Sequence, residues 1–412
     1  MAEENKNTDN KLEPKAINVD ELLDKRQKET RAKFEKKPKH YLDMNLSWPM
    51  LIILSLAIFG IGYAYVNQSS LATGYRILYI VVSLLAGVLI YNLGKLIGAA
   101  IDGYEVYRVE FFGLQVLKDG KKQIASFRIA DFFEFHIDYA PKKEDNRNMA
   151  FYLCGSLLDT VAFIVVLVLS FVLKNLPLNL AITLRYGSIL AFLTAFYEMF
   201  PGKLDVFNDM YRLIVSSSEE DRIAYNKYLI ALKNDYLGKP NEKIIYDDYS
   251  SRAKALTLLP RLHEEVYDDE YQKALKTIEL ADEKSVSLPD ADKCEIISEE
   301  LYLYLSHGRT KEAESLVILF DKRVKNTADY HPSVSALRTS ILIAGLLDSS
   351  REGLDEALKD FTEELKRVGK NERTVKDLAF VKEALSRISR SHPDWGVKPL
   401  NEKDIFAAPK AE

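Results

Sequence analysis

Residues 91 to 95 read Tyr91-Asn92-Leu93-Gly94-Lys95 within a long apolar run. Two side chains four positions apart on a helix lie one turn above each other, so this spacing could aim two ligands at one metal ion, with the residue between them acting as a base. The residue types oppose that chemistry. Tyrosine is a poor zinc ligand at neutral pH, an asparagine side chain is no general base, and a lysine ammonium would set one cation against another. Other polar groups in or beside apolar surroundings include Asp159, Arg185, Glu198, Asp205, Asn208 and Asp209.

The six histidines do not supply the missing ligands. His40, His263, His307, His331 and His392 fall outside the apolar half, and His136 stands alone in a strand-like segment. Leu262-His263-Glu264-Glu265-Val266-Tyr267 comes near a zinc motif, but its fifth position is tyrosine and it lies on a soluble amphipathic pattern. The two cysteines, Cys154 and Cys294, form neither a CxxC pair nor a disulfide framework, and no role is expected of them.

Four apolar stretches must position these groups: about 48–66, 77–101, 149–173 and 184–200. A helix rising about 1.5 Å per residue needs roughly 20 such residues to cross the hydrocarbon core, so the chain is expected to span a membrane four times. The first stretch begins behind a long polar segment and ends without a small-residue cleavage pattern, so it is expected to remain as an anchor. Residues 24 to 40 hold eight basic and three acidic residues, whereas the first interspan loop, Asn67 to Tyr75, is uncharged. The excess of positive charge places both termini and the 102–148 segment in the cytoplasm of a multi-pass cell-membrane protein. The net charge of −5 says little about nucleic acid, but no basic-aromatic patch lies outside the N-terminal segment, which reads as a solvated topogenic tail, so no nucleic-acid partner is expected.

Three blocks follow. Residues 1–46 are charged, low in aromatics and expected to be disordered. Residues 47–215 form a membrane domain whose 104–140 segment alternates apolar and polar residues and turns at Lys118-Asp119-Gly120-Lys121, the pattern of hairpins lying at the cytoplasmic membrane face. Residues 218–412 show apolar positions at three and four spacing in successive stretches. They resemble tetratricopeptide-type helices without a clean repeat period, and are expected to form an irregular α-solenoid or a helical bundle. The expected fold class is therefore mainly α: a four-span helical membrane domain with a small β segment, then a soluble helical block.

Taken together, the second span followed by Asp102-Gly103-Tyr104 and strands, Gly155-Ser-Leu-Leu-Asp159 in the third, and Glu198-Met-Phe-Pro201 leading to Asn208-Asp209-Met210 after the fourth resemble the site-2 protease family of intramembrane zinc metallopeptidases. The resemblance is to its divergent Gram-positive bacterial branch and covers about residues 75 to 215. In that family His-Glu-x-x-His leads into Gly-Tyr and membrane-associated strands. Gly-x-x-x-Asn faces a substrate groove, and Asn-x-x-Pro precedes an Asp-Gly that carries the third zinc ligand. Here the reactive positions hold Tyr91, Asn92 and Lys95, the asparagine before the proline is Glu198, and the ligand position falls on Asp209 or Asp205.

What the resemblance implies is a protease frame without its catalytic groups. Gly155, Asp159, Pro201 and Asn208 would line the old groove. No cofactor is expected, zinc entering only if unfamiliar ligands preserved activity. Lys95 is expected either to replace the metal's charge by pairing with Asp209, Asp205 or Asp159, or to snorkel to the interface. Three functions remain open at this point. The chain could be a silent relative that binds a single-span or membrane-bound peptide through the groove and a cytoplasmic protein through its helices. It could be an active peptidase with unusual ligands, or a helical scaffold merely tethered to the bilayer.

Overall fold

The computed structural model describes residues 47–111, 113–119, 122–127, 135–173, 175–202, 207–284, 288–319 and 333–406. The charged segment 1–46, Asp205, His40 and His331 lie outside the described residues.

Four helices are long and apolar enough to cross a membrane: α1 (Ser47–Gln68), α2 (Thr73–Asp102), α3 (Met149–Val172) and α4 (Leu178–Met199). Their bounds correct two of the expected ones. The second helix starts four residues before the expected 77, and the fourth starts at Leu178 rather than 184. In both cases polar residues that read as loop carry helix-end duties. Arg76 donates to the carbonyl of Val66 at 3.0 Å, and Asn179 and Ser70 exchange side-chain hydrogen bonds at 3.0 and 2.9 Å. Carbonyls left over at a helix end are satisfied this way at low cost.

The helices α2, α3 and α4 pack mutually, and α1 leans on α4. Small residues permit the close approach, as they do wherever apolar helices must associate without a hydrophobic driving force between them. A Cβ placed on Gly94 would stand 2.4 Å from the carbonyl oxygen of Cys154, and one on Gly98 would stand 2.3 Å from that of Ala150. Large apolar side chains such as Phe59, Val165 and Phe171 point outward and are exposed.

Helix α2 ends at Gly103, which adopts φ 75° and turns the chain into a four-stranded antiparallel sheet of order β3-β2-β1-β4. Its strands are β1 (Tyr104–Phe111), β2 (Leu114–Asp119), β3 (Lys122–Phe127) and β4 (Phe135–Pro141). A register shift between Val106 and Arg108 places Tyr107 out of step in β1.

After α4, the short helix α5 (Asp209–Val215) and α6 (Glu219–Tyr236) lead into the helical block. That block comprises α7 (Arg252–Leu256), α8 (Leu258–Tyr267), α9 (Tyr271–Glu283), α10 (Asp290–Ser306), α11 (Thr310–Leu319), α12 (Val334–Leu342, continued by a π turn to Leu347), α13 (Arg351–Val368), α14 (Glu372–Ser391) and α15 (Glu402–Ile405). Packing runs from each helix to its near neighbours: α8 on α9 and α10, α10 on α12, and α12 on α13 and α14. The apolar three-and-four spacing that runs through Ser251 to Tyr267 and past Gly308 is interrupted in both places. Pro260 requires a helix first turn, so α8 starts afresh after Thr257, and Gly308, with φ 73°, ends α10.

One buried cluster joins the sheet-side ends of the apolar helices to this block. It runs from Ala99, Tyr104, Phe151 and Tyr152 through Tyr211, Tyr225 and Tyr228 to Leu301 and Leu316. A second cluster, built on Leu337, Phe361, Leu378 and Ile388, closes the C-terminal end.

Candidate functional site

Three of the sequence-predicted positions meet where α2, α3 and α5 converge. Lys95 Nζ lies 2.8 Å from Asp209 Oδ1, and the Tyr91 hydroxyl donates to Asp209 Oδ2. Tyr91, Lys95 and Asp209 are all buried. Helical spacing places Tyr91 and Lys95 on one face of α2, and Gly155 of α3 lets that face close. A Cβ on Gly155 would stand 2.7 Å from the Tyr91 ring and 3.0 Å from Lys95 Cγ.

Asp209 is held in place by the turn that precedes it. Asn208 caps α5: its Oδ1 accepts from the backbone N–H groups of Tyr211 and Gly202 at 3.1 and 3.0 Å, and its Nδ2 donates to the carbonyls of Tyr197, at 3.0 Å, and Phe200. The side chain is spent on backbone, so Asn208 positions the turn rather than facing a groove. Pro201 is half-buried in the same turn.

Two further charged groups join the site: Glu198, which the sequence places at the family's asparagine position but not beside Asp209, and Arg212, which the sequence reading does not single out. Glu198, near the end of α4, accepts from the backbone N–H of Asp209 at 2.8 Å. Arg212, one turn after Asp209, reaches Asp209 Oδ1 at 3.7 Å. Lys95, Arg212, Asp209 and Glu198 therefore make a cluster of two positive and two negative groups, which offsets the cost of withdrawing each from water. The i, i+3 spacing of Asp209 and Arg212 was the signal for Arg212. Burial tends to lower the pKa of Arg212, but Tyr225 and Asp209 outweigh it and the group is held above its ordinary value.

Rings surround the ammonium. Lys95 Nζ lies 4.5 Å from the Phe151 ring centre, 5.7 Å from that of Tyr139, and 5.8 Å from those of Tyr91 and Tyr152. Aromatic faces attract a cation and exclude water, so the pair with Asp209 acts at low local dielectric.

Asn92 and Asp159 do not join this site. Asn92 Nδ2 donates to the carbonyl of Val88 at 2.8 Å on its own helix. Asp159 lies deeper in α3, where Oδ2 accepts from the backbone N–H of Ala195 at 3.1 Å, so it belongs to the α3–α4 contact and is not the partner of Lys95.

Zinc, which the family resemblance implies, does not fit these donors. The two positions of α2 hold a phenol and an ammonium, and both carboxylate oxygens of Asp209 are engaged by them. Among the described residues no three His, Cys, Asp or Glu side chains gather around a point. No hydrolytic step follows from this arrangement.

The near-motif at 262–267 is absorbed by the helical block. His263 Nδ1 lies 2.9 Å from Asp235 Oδ2, Glu264 accepts from Arg373 and from the Asn241 backbone N–H at 3.0 Å, and Tyr267 donates to Asp377 at 2.9 Å. His307 stacks on Tyr271 and His392 on Trp395. The two cysteines form no disulfide.

No protein-family model, no curated protein and no solved structure matches the chain.

Proposed function

We propose that the chain is a catalytically silent relative of the site-2 proteases. It binds a single-span or membrane-bound peptide beside the former catalytic position and a cytoplasmic protein along its helices. The observation that carries this reading is the convergence of Tyr91, Lys95 and Asp209, three positions that match the family's three ligand positions in order and are 114 or more residues apart across the pair. A tether with unrelated spans has no reason to bury a lysine and an aspartate there, since each is costly in a membrane domain unless partnered.

In this reading Lys95 supplies the positive charge that a metal supplies in an active protease. Its pairing with Asp209 keeps α2, α3 and α5 in the protease arrangement without reactivity. Both termini face the cytoplasm of a cell-membrane protein, the sheet lies at the cytoplasmic membrane face, and the helices after α6 act as an irregular solenoid. The neighbour-to-neighbour packing of α8, α10, α12 and α14 supports that last point, because stacked helices present an extended surface suited to protein binding.

The test is photocrosslinking in intact membranes from a photoreactive residue at Asn92, followed by mass spectrometry. Capture of a single-span or membrane-bound peptide is expected. Release of processed fragments from a model span by the purified protein, with stoichiometric zinc, would sink the silent reading. Capture of nothing but soluble protein would sink the groove.

A further inference from the structure

The connection between α6 and α7 is longer than its path requires. Residues 237–251 form neither helix nor strand. Arg252 at the head of α7 donates to the Tyr211 hydroxyl of α5, and Lys254 Nζ lies 2.6 Å from Glu220, so the chain returns from the end of α6 to its beginning. Helix α6 has 18 residues, a length of about 27 Å that roughly eight extended residues would cover. The remainder makes an excursion onto α8 and α14. Connections of this length without secondary structure are uncommon in a packed block and commonly carry function.

Three helices remote in sequence wall the first part of the excursion. Arg373 of α14 pairs with Asp235 of α6 at 2.9 Å and with Glu264 of α8. From that triad Arg373 Nε donates to the carbonyl of Lys239 at 2.8 Å, and Glu264 Oε1 accepts from the backbone N–H of Asn241 at 3.0 Å. Two main-chain contacts two residues apart match the period of an extended backbone and depend on no particular side chain. Pro240 between them fixes its own φ and keeps Lys239 out of the helical region. Gly238, with φ 65°, lets the chain enter past the Asn371 side chain at the head of α14.

Side chains then add selectivity. Asn241 Nδ2 donates to Asp235 Oδ1 at 2.6 Å and to the Ala231 carbonyl at 3.3 Å. Lys243 Nζ lies 2.8 Å from Asp268 and 2.7 Å from Glu270, in the turn between α8 and α9. Asp235, Glu264, Asp268 and Glu270 outnumber Arg373 and His263 on this wall, so it suits a basic ligand. Arg373 and Glu264 are buried, whereas Lys239, Pro240, Glu242 and Lys243 are exposed. The segment thus covers its partners without being covered itself. Tyr249, buried and held by Arg261 at 3.1 Å, anchors the far end.

We propose that Lys239 to Ile245 is a displaceable occupant of a peptide groove formed by α6, α8 and α14. The ligand this groove takes is an extended segment of a cytoplasmic protein, with a side-chain amide followed two residues on by a basic residue. The inference rests on the reading of the helical block as protein-binding and names its surface. A tethered segment acts at a high effective concentration, so the groove stays self-blocked until a partner offers more contacts than the segment does.

The test uses the full chain in detergent micelles and a fluorescein-labelled peptide, Lys-Pro-Asn-Glu-Lys-Ile-Ile, read by anisotropy. In a variant, residues 239–245 are exchanged for a glycine–serine run of equal length, which keeps both anchors. The peptide should bind this variant at least about tenfold more tightly than the wild type, since the tethered competitor is gone. Peptides carrying Asn241→Ala or Lys243→Glu should lose that binding, and Asp268→Asn/Glu270→Gln in the exchanged chain should weaken it severalfold. An exchanged chain that melts as the wild type does but takes up no peptide, or binds it no better than the wild type, overturns the inference. So does binding indifferent to the peptide's asparagine and lysine. If the exchanged chain does not fold, the wild type decides. Its Asn241 amide should exchange with deuterium at least about a hundredfold faster than the buried amides of α8, and equal protection overturns the inference. Either negative result removes this groove alone, because the membrane-peptide reading is tested by the separate crosslink at Asn92.

Discussion

Lys95 of α2 and Asp209 of α5 lie 2.8 Å apart although 114 residues separate them, and the hydroxyl of Tyr91 donates to the other oxygen of the same carboxylate. Removing one partner leaves the other charged and buried among rings. Lys95→Met or Asp209→Asn alone should each destabilise the protein by about 3–5 kcal/mol, the usual consequence of breaking a buried pair. The double variant should recover much of that loss. Thermal unfolding of the detergent-solubilised chain and its three variants gives the coupling, and additive losses would show that the pair does not act as a unit.

Gly94 tests the helix crossing that brings this pair together. Its missing side chain lets the Cys154 carbonyl approach, and backbone cannot yield as a flexible side-chain end could. Gly94→Leu should cost at least about 1–3 kcal/mol, as overpacking does, and should displace α2 from α3. Gly60→Leu on α1, where nothing lies within 4 Å of the added Cβ, is the matched control and should leave unfolding unchanged. Disulfide crosslinking between paired cysteines on α2 and α3 would report the displacement.

A second ion cluster holds the helical block. Arg338 is wholly buried, reaches Glu299 at 2.6 Å and Asp377 at 2.8 Å, and stacks 3.8 Å over the Tyr302 ring centre. Three helices, α10, α12 and α14, therefore meet on one guanidinium. Arg338→Lys keeps the charge but loses the fork that serves two carboxylates at once, so it should fall well short of wild-type stability. Arg338→Met should cost about 3–5 kcal/mol. Limited proteolysis should reveal α12 to α14 loosening while the spans remain protected.

Much of this architecture was legible in the sequence because it follows from periodicity and length. Twenty-odd apolar residues in a row announce α1 to α4, and the alternation in Val109, Val116 and their neighbours announces strands. Three-and-four spacing announces α9, α10 and α14. What stayed hidden depends on contacts between distant segments. Tyr91, Lys95 and Asp209 could be named as candidates from types and order, but choosing Asp209 over Asp159 required knowing that α3 turns Asp159 toward Ala195. Arg212 shows in sequence only as an i, i+3 neighbour of Asp209, and Glu198 gives no sign there that it belongs to the same site. Nor does alternation reveal which face of the sheet the helical block will take. That follows only from where Tyr236 and Arg367 arrive.

His263 gives the block a defined pH response. Burial favours its neutral form, but the Asp235 hydrogen bond and the charges of Asp235, Glu295 and Glu299 outweigh burial, and its pKa is pushed up to about 9. The folded state thus binds the proton more tightly than the unfolded chain, whose histidine titrates near 6.5. The stabilisation is complete below about pH 6.5 and is lost as pH rises through about 9, a total of roughly 3 kcal/mol at 1.36 kcal/mol per unit. Melting temperature measured from pH 6 to 10 should fall across that window. His263→Gln keeps a donor for Asp235 without a titrating group, and should be less stable at pH 6 and flatter over the same range. A wild-type slope that persists in His263→Gln would assign the response to another group.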